Sequence, residues 1–405
     1  MLKKVESSQL KPGMYIHELS CDWLSHPFLR NRFLLSGDQE IRKILDAGIR
    51  IVVIDTGKGI DADAPTVAQS DAATEVEVQR IAAQPARPAR VALGEELERA
   101  ARVRRQASDL VKNVMADARL GRAIEVGQVQ PVVRNITESI LRNPGALVGL
   151  LRIKNKDDYT FLHSVSVCTL LVAFCHSRGM PADSVREAGM GALLHDTGKA
   201  LVPDAILNKP GPLTDEEFAI IRRHPEDGYD ILRRSPEVSQ IALDIIRHHH
   251  ERIDGTGYPD KLAGDGIGEL AKMAAIVDVY DAITADRCYH KGMPAASALR
   301  KLHEWSKFHF DPRLVQAFMR CVGIYPVGTL VLLESGRLGV VVEPHESNLL
   351  APKVNVFFHT KRNGYLRPEL VDLSRGAGAG GADRIVSHES PERWNVDPGR
   401  FMAPG

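Results

Sequence analysis

Fifteen histidines are spread unevenly through the chain. His163 opens an apolar helical stretch, and His195-Asp196 closes another. His224 ends the stretch begun at Thr214, and His248-His249-His250 ends the one that follows Ser235. Asp278 lies inside the apolar run from Met273 to Val279. An imidazole or carboxylate buried at a helix end is costly unless it is paired or metal-bound. Histidine mixed with carboxylate suits Mn, Fe or Zn, whereas Ca and Mg prefer oxygen alone. In an adjacent His-Asp pair the carboxylate can reach one ion and the imidazole another, or the carboxylate can bridge both. Two ions roughly 3.5–4 Å apart would share a hydroxide and clamp a phosphate. Singly, each residue has an ordinary alternative: His163 a core histidine or helix cap, His248–His250 a solvated helix end, Asp278 a cap. Together in one helical stretch they point to metal.

Those side chains need helices to carry them. From about 145 to 325 apolar positions recur with helical period. Val185, Ala188, Ala192 and Leu193 line the face that leads to His195, and Gly198 stops that helix. Pro225 and Pro236 sit where new helices are expected to begin, and Thr214-Asp215-Glu216-Glu217 reads as a capping box. Ahead of this core, 94–144 carries Leu97, Ala101, Leu110, Val114 and Ala118 among many charges. It reads as a helical connector that joins domains or pairs with a second copy of the chain. Residues 1–60 read as a small mixed domain, with a helix at Asp38–Ala47 and a buried strand at Ile49–Asp55. Residues 61–93 are aperiodic and read as a flexible linker. Residues 326–375 read as a β-rich extension of three short strands, and 376–405 as a flexible tail. The expected fold class is mainly α: a helical bundle with a small α/β N-terminal domain and a short β-rich C-terminal extension.

Composition narrows the partners. Fifty-two basic and fifty-two acidic residues give zero formal charge, which argues against nucleic acid or an anionic membrane as a bulk partner. Five cysteines without a C-x-x-C pair suit a reducing compartment. The first ten residues lack a signal-peptide core, and the apolar run Val165–Cys175 is far short of the roughly 20 residues that span a bilayer. A cytoplasmic protein is expected.

The run His195-Asp196-Thr-Gly-Lys199, then His249-His250-Glu251-Arg252, then Asp254-Gly-Thr-Gly257-Tyr258-Pro259 and Asp278-Val-Tyr-Asp281-Ala-Ile-Thr-Ala-Asp286-Arg287, resembles the HD-GYP branch of the HD phosphohydrolases. The resemblance covers 145–325. Residues 1–60 resemble the small domain of unknown function that precedes some HD-GYP domains, through Gly13-Met14-Tyr15, Trp23–Phe28 and Ile54–Gly59.

The resemblance implies a phosphodiesterase that hydrolyses cyclic di-GMP to pGpG or GMP through a hydroxide bridging two divalent transition-metal ions, Fe or Mn. It implies metal ligands at His163, His195, Asp196, His224, His249, His250 and Asp278, with His248 left over. Tyr159 stands where some members place a glutamate for a third metal, so two ions are expected. Asp196 and Lys199 are the catalytic candidates, and Lys199, Arg287, His290 and Lys291 the substrate contacts. The Gly257-Tyr258-Pro259 loop is associated with partner recognition, including diguanylate cyclase domains, or else shapes the site wall. Two competing readings stay open: a phosphohydrolase acting on another nucleotide, and a non-catalytic module that binds cyclic di-GMP or a cyclase.

Overall fold

The computed structural model describes residues 2–19, 32–62, 91–152, 159–209, 211, 213–285, 292–345, 348, 350–375 and 383–402. Four strands and one helix make the N-terminal unit: β1 (Leu2–Glu6), β2 (Tyr15–Leu19), β3 (Phe33–Leu34), α1 (Asp38–Asp46) and β4 (Ile51–Asp55). The antiparallel sheet runs β1-β4-β2-β3, with Leu2 opposite Asp55. Alternate residues Val52 and Ile54 of β4 pack on Ile16, Ile44 and Leu35, as the period of two requires. The expected helix and central strand are both present.

The helical body comprises α2 (Leu93–Arg119), α3 (Val129–Arg142), α4 (Pro144–Arg152), α5 (Tyr159–Ser177), α6 (Ala182–Leu194), α7 (Asp204–Leu207), α8 (Asp215–Ile221), α9 (His224–Leu232), α10 (Gln240–His248), α11 (Glu269–Thr284), α12 (Ala295–Trp305) and α13 (Pro312–Val322). Helices α5 and α11 are apolar nearly all round, so they occupy the centre. Phe318 of α13 meets Phe174 of α5 at 5.3 Å and Tyr280 of α11 at 5.2 Å, edge to face.

Three expectations change here. The stretch 94–144 is no free connector: Ala100, Val103, Ala107, Val111 and Val114 of α2 join the same core as α5 and α6. Buried Glu96 holds α2 to α3, accepting two bonds from the Arg142 guanidinium at 2.7 and 2.9 Å and one from Ser139 at 2.9 Å. This apolar face of α2 is therefore covered within the chain. His224 begins α9 rather than ending the preceding helix, because Pro225 behind it cannot donate within a helix and fixes a new start. Pro236 lies in a turn; α10 starts later, where the Ser239 hydroxyl accepts from Ala242 N–H. The capping box is present as read, with Glu217 N–H on Thr214 Oγ1 at 3.2 Å and Thr214 N–H on the Glu217 carboxylate at 2.7 Å.

Past the helices come β5 (Leu330–Leu333), β6 (Arg337–Glu343), β7 (Lys353–His359), β8 (Gly364–Asp372) and β9 (Ile385–His388), then α14 (Pro391–Trp394). The antiparallel sheet runs β8-β7-β6-β5-β9. Residues 383–402 are therefore not a tail. β9 pairs with β5, Phe401 stacks on Phe357 at 3.9 Å, and Met402 is buried. The linker segment 63–90 lies outside the described residues. Among those described, no helix is long and apolar enough to cross a membrane, and Cys168, Cys175 and Cys321 are free thiols.

The N-terminal unit rests on the helical body. Arg252 donates to Ala47 O at 3.1 Å, and His309 Nε2 to Gly48 O at 2.9 Å. Salt bridges join Lys43 to Asp215 (2.7 Å), Lys4 to Glu304 (3.1 Å) and Lys301 to Glu18.

Candidate metal centre

The seven predicted ligands arrive from five segments of the chain. His163 projects from the second turn of α5, and Asp278 from the middle of α11. His195 caps the C-terminus of α6, and Asp196 leads into a 3-10 turn at Thr197–Leu201. His224 is the first residue of α9, and His249-His250 follow α10. The close fit of two elements depends on Gly198, where a Cβ would stand 2.0 Å from His224 O and 2.5 Å from Gly228 N. Any side chain there would push α9, and His224 with it, away from Asp196.

All seven residues converge. His163, His195 and Asp278 form one group of donor atoms, and His224, His249 and His250 another, each within 4.8 Å. Asp196 lies between them: Oδ2 is 3.4 Å from His195 Nε2 and 3.7 Å from His163 Nε2, and Oδ1 is 3.4 Å from His224 Nε2. Asp278 faces His163 at 3.0 Å, His195 at 3.8 Å and His250 at 3.9 Å.

Proton placement follows from the outward-facing nitrogens. His195, His224 and His249 each turn Nδ1 to a backbone carbonyl three residues earlier, at 2.8, 2.7 and 2.9 Å. A carbonyl only accepts, so each neutral ring carries its proton on Nδ1 and presents a bare Nε2 lone pair inward. His224 Nε2 and His249 Nε2 then face each other at 3.2 Å with no proton between them. His195 Nε2, Asp196 Oδ1 and His250 Nε2 are buried without a hydrogen-bond partner. Inward lone pairs and unsatisfied carboxylate oxygen are what a cation requires, so the donor set fits divalent metal.

Electrostatics agree. Burial lowers the pKa of His195, of His224 and of His250, and takes His249 down to about 4. Burial alone would raise Asp196 and Asp278, but the surrounding imidazoles, and for Asp196 the Lys199 ammonium, hold both well below the usual carboxylate range. For His163 burial is outweighed by hydrogen bonds to Asp278 and Asp281, and its pKa rises.

Asp281 is the partner the sequence left without a role. Its Oδ2 lies 2.8 Å from His163 Nδ1 and fixes that ring. The signal was available, since Asp278 and Asp281 are three apart on one helix and share a face. Glu251 was also missed. Buried beside His250, it accepts from Asp260 N–H at 2.7 Å and Leu262 N–H at 3.0 Å, which ties down the loop after Pro259. Gly257 lies against that same segment, where a Cβ would meet Glu251 Cα and Arg252 N at 2.5 Å. The Tyr258 ring thereby stacks on His250 at 4.7 Å, with the Arg222 guanidinium 4.5 Å from its centroid.

Lys199 Nζ sits 2.7 Å from Asp196 Oδ2. His248 stays outside the cluster, bonded to Asp244 at 2.7 Å and Asp260 at 2.9 Å. Arg287, His290, Lys291 and the Tyr159 side chain lie outside the described residues.

Comparison with known proteins matches residues 2–129 to a domain of unknown function, DUF3391, and residues 149–314 to the HD domain. A cyclic di-GMP phosphodiesterase of Pseudomonas aeruginosa, PA4108, is 48% identical over 98% of this chain and 94% of its own length. The cyclic di-GMP phosphodiesterase response regulator RpfG of Xanthomonas campestris is 40% identical over 40% of this chain and 42% of its own. The 3'3'-cGAMP-specific phosphodiesterase 2 of Vibrio cholerae is 40% identical over 34% of this chain and 26% of its own. With the His-Asp centre, the Gly-Tyr-Pro loop and a relative matched nearly end to end, the chain belongs to the HD-GYP family of HD-domain proteins, with a DUF3391 domain at its N-terminal side.

Proposed function

We propose that this chain is a cytoplasmic phosphodiesterase that hydrolyses cyclic di-GMP to pGpG or GMP at a centre for two divalent transition metals, Fe or Mn. The observation that carries the reading is the pair of three-donor groups on either side of Asp196, with inward Nε2 atoms stripped of protons. The end-to-end likeness to a cyclic di-GMP phosphodiesterase supports the choice of substrate.

His163, His195 and Asp278 would hold one ion and His224, His249 and His250 the other, with Asp196 shared. Bound divalent ions supply an acidified water and offset phosphate charge. The protein's own part is positional. Backbone carbonyls fix the rings of His195, His224 and His249, and Asp281 fixes that of His163. The Lys199 ammonium, held by Asp196, adds positive charge where phosphoryl oxygens gain negative charge. Arg287, His290 and Lys291 are proposed contacts to the ligand. The Gly257-Tyr258-Pro259 loop lies on the metal-ligand segment, which supports a role in shaping the site wall before one in docking cyclase domains.

The test is a substrate panel. Metal-loaded protein is mixed with cyclic di-GMP, 3'3'-cGAMP and cyclic di-AMP, and the products are separated. Fastest turnover of cyclic di-GMP is expected. Preference for another dinucleotide would replace the substrate, and binding without turnover of any would replace the enzyme reading.

A further inference from the structure

A cleft of about 440 Å³ opens between the N-terminal domain and the helical body. Its size is within the range of about 300–1,000 Å³ typical of small-molecule sites. Lys43 and Asp46 of α1 form one wall, and Phe218, Arg222, Arg252 and Tyr258 the other. Tyr258 joins the cleft to the metal centre, because its ring also stacks on His250.

The lining has the chemistry of a base site. The Arg222 guanidinium lies 4.5 Å from the Tyr258 ring centroid and 5.6 Å from that of Phe218, so planar groups gather on one side. Aromatic rings and guanidinium planes are surfaces on which nucleobases stack. Lys43 is engaged with Asp215 and Arg252 with Ala47 O. Asp46 is exposed in the cleft and, among the described residues, has no hydrogen-bonding or ionic partner. A carboxylate accepts the paired N1–H and N2–H donors of guanine. Adenine turns an N1 acceptor to the same oxygens and is repelled.

We propose that this cleft binds a guanine base of the substrate and that Asp46 reads its Watson–Crick edge, which makes the N-terminal domain part of the substrate site. The inference rests on the guanine dinucleotide reading above. With one phosphodiester at the metal centre, a base passing Tyr258 enters the cleft, and α1 selects for guanine.

The test uses the metal-loaded 405-residue chain and its Asp46→Ala and Asp46→Asn variants. Steady-state kinetics are measured with cyclic di-GMP and with bis(p-nitrophenyl) phosphate, which has no base. GMP and AMP binding is measured by calorimetry, and thermal melting checks folding. Asp46→Ala is expected to raise KM for cyclic di-GMP about tenfold or more, with little change in kcat, and to weaken GMP binding by a similar factor. Asp46→Asn should narrow the preference for GMP over AMP. KM and GMP affinity within twofold of the parent overturn the proposal, as does an equal loss on both phosphodiesters. If the parent cleaves bis(p-nitrophenyl) phosphate but not cyclic di-GMP, the substrate reading fails by itself. GMP binding then decides the cleft: weakened by Asp46→Ala, it stands; unchanged, or absent in the parent, it falls.

Discussion

Asp196 lies at the middle of the centre, within 3.7 Å of the His163, His195 and His224 imidazoles and 2.7 Å from Lys199. Asp281 places its Oδ2 2.8 Å from His163 Nδ1 and so sets which nitrogen of that ring faces inward. Replacing such an outer partner typically costs about 10–100-fold in metal affinity. Asp281→Ala is therefore expected to weaken metal binding by that factor while the fold is kept, as read by competition with a chelator. Lys199→Met should retain metal and lose roughly 100-fold in kcat if, as proposed, its charge acts on the phosphate. An unchanged kcat would leave Lys199 as a structural partner of Asp196. The seven residues that converge were legible because their types and order match the family's motifs. Asp281 was not, because an outer partner is recognised by what it touches, and the sequence shows only that it shares a helix face with Asp278.

At the scale of elements, the centre depends on close approach of loops and helix ends. Glu251 ties the Gly257–Leu262 loop through two backbone N–H groups. Glu251→Ala leaves both without a partner and should cost about 2–4 kcal/mol, measured by urea denaturation, with Tyr258 freed from His250. Gly198→Ala forces α9 back from the His-Asp turn and should reduce metal content without abolishing helicity. Helix starts were readable where local chemistry encodes them, as with the capping box at Thr214. A proline can mark either a turn or a first residue: Pro225 was read rightly as a helix start, and Pro236 was misread, since it lies in a turn. The segment 383–402 was hidden for a different reason. β9 and Phe401 gain their order from β5 and Phe357, more than forty residues away, and glycine-rich neighbours masked the short pattern.

Across the whole molecule, the N-terminal domain is fastened within a few residues of the metal ligands. His309 is the buried fastener. Burial, and then the nearby Arg252 charge, lower its pKa to about 4, against about 6.5 when unfolded. The docked fold holds His309 neutral, with Nε2–H on Gly48 O. Its contribution is therefore complete above about pH 6.5 and is lost as pH falls toward about 4, by up to roughly 3 kcal/mol. His309→Gln keeps a donor without titrating, so its denaturation midpoint should fall less than the parent's between pH 7 and pH 5. Equal falls would show that His309 does not govern docking. The charge balance and chain-length reading could not reveal this fastening, since it joins residues 48 and 309 through a fold that neither segment encodes alone.

The most direct measurement is metal content and cyclic di-GMP turnover on the same anaerobic sample of the chain, beside Asp196→Ala. Two divalent ions per chain with release of pGpG or GMP, both lost in the variant, is the predicted result. A fully loaded chain that leaves cyclic di-GMP intact, or turnover that survives Asp196→Ala, would contradict it.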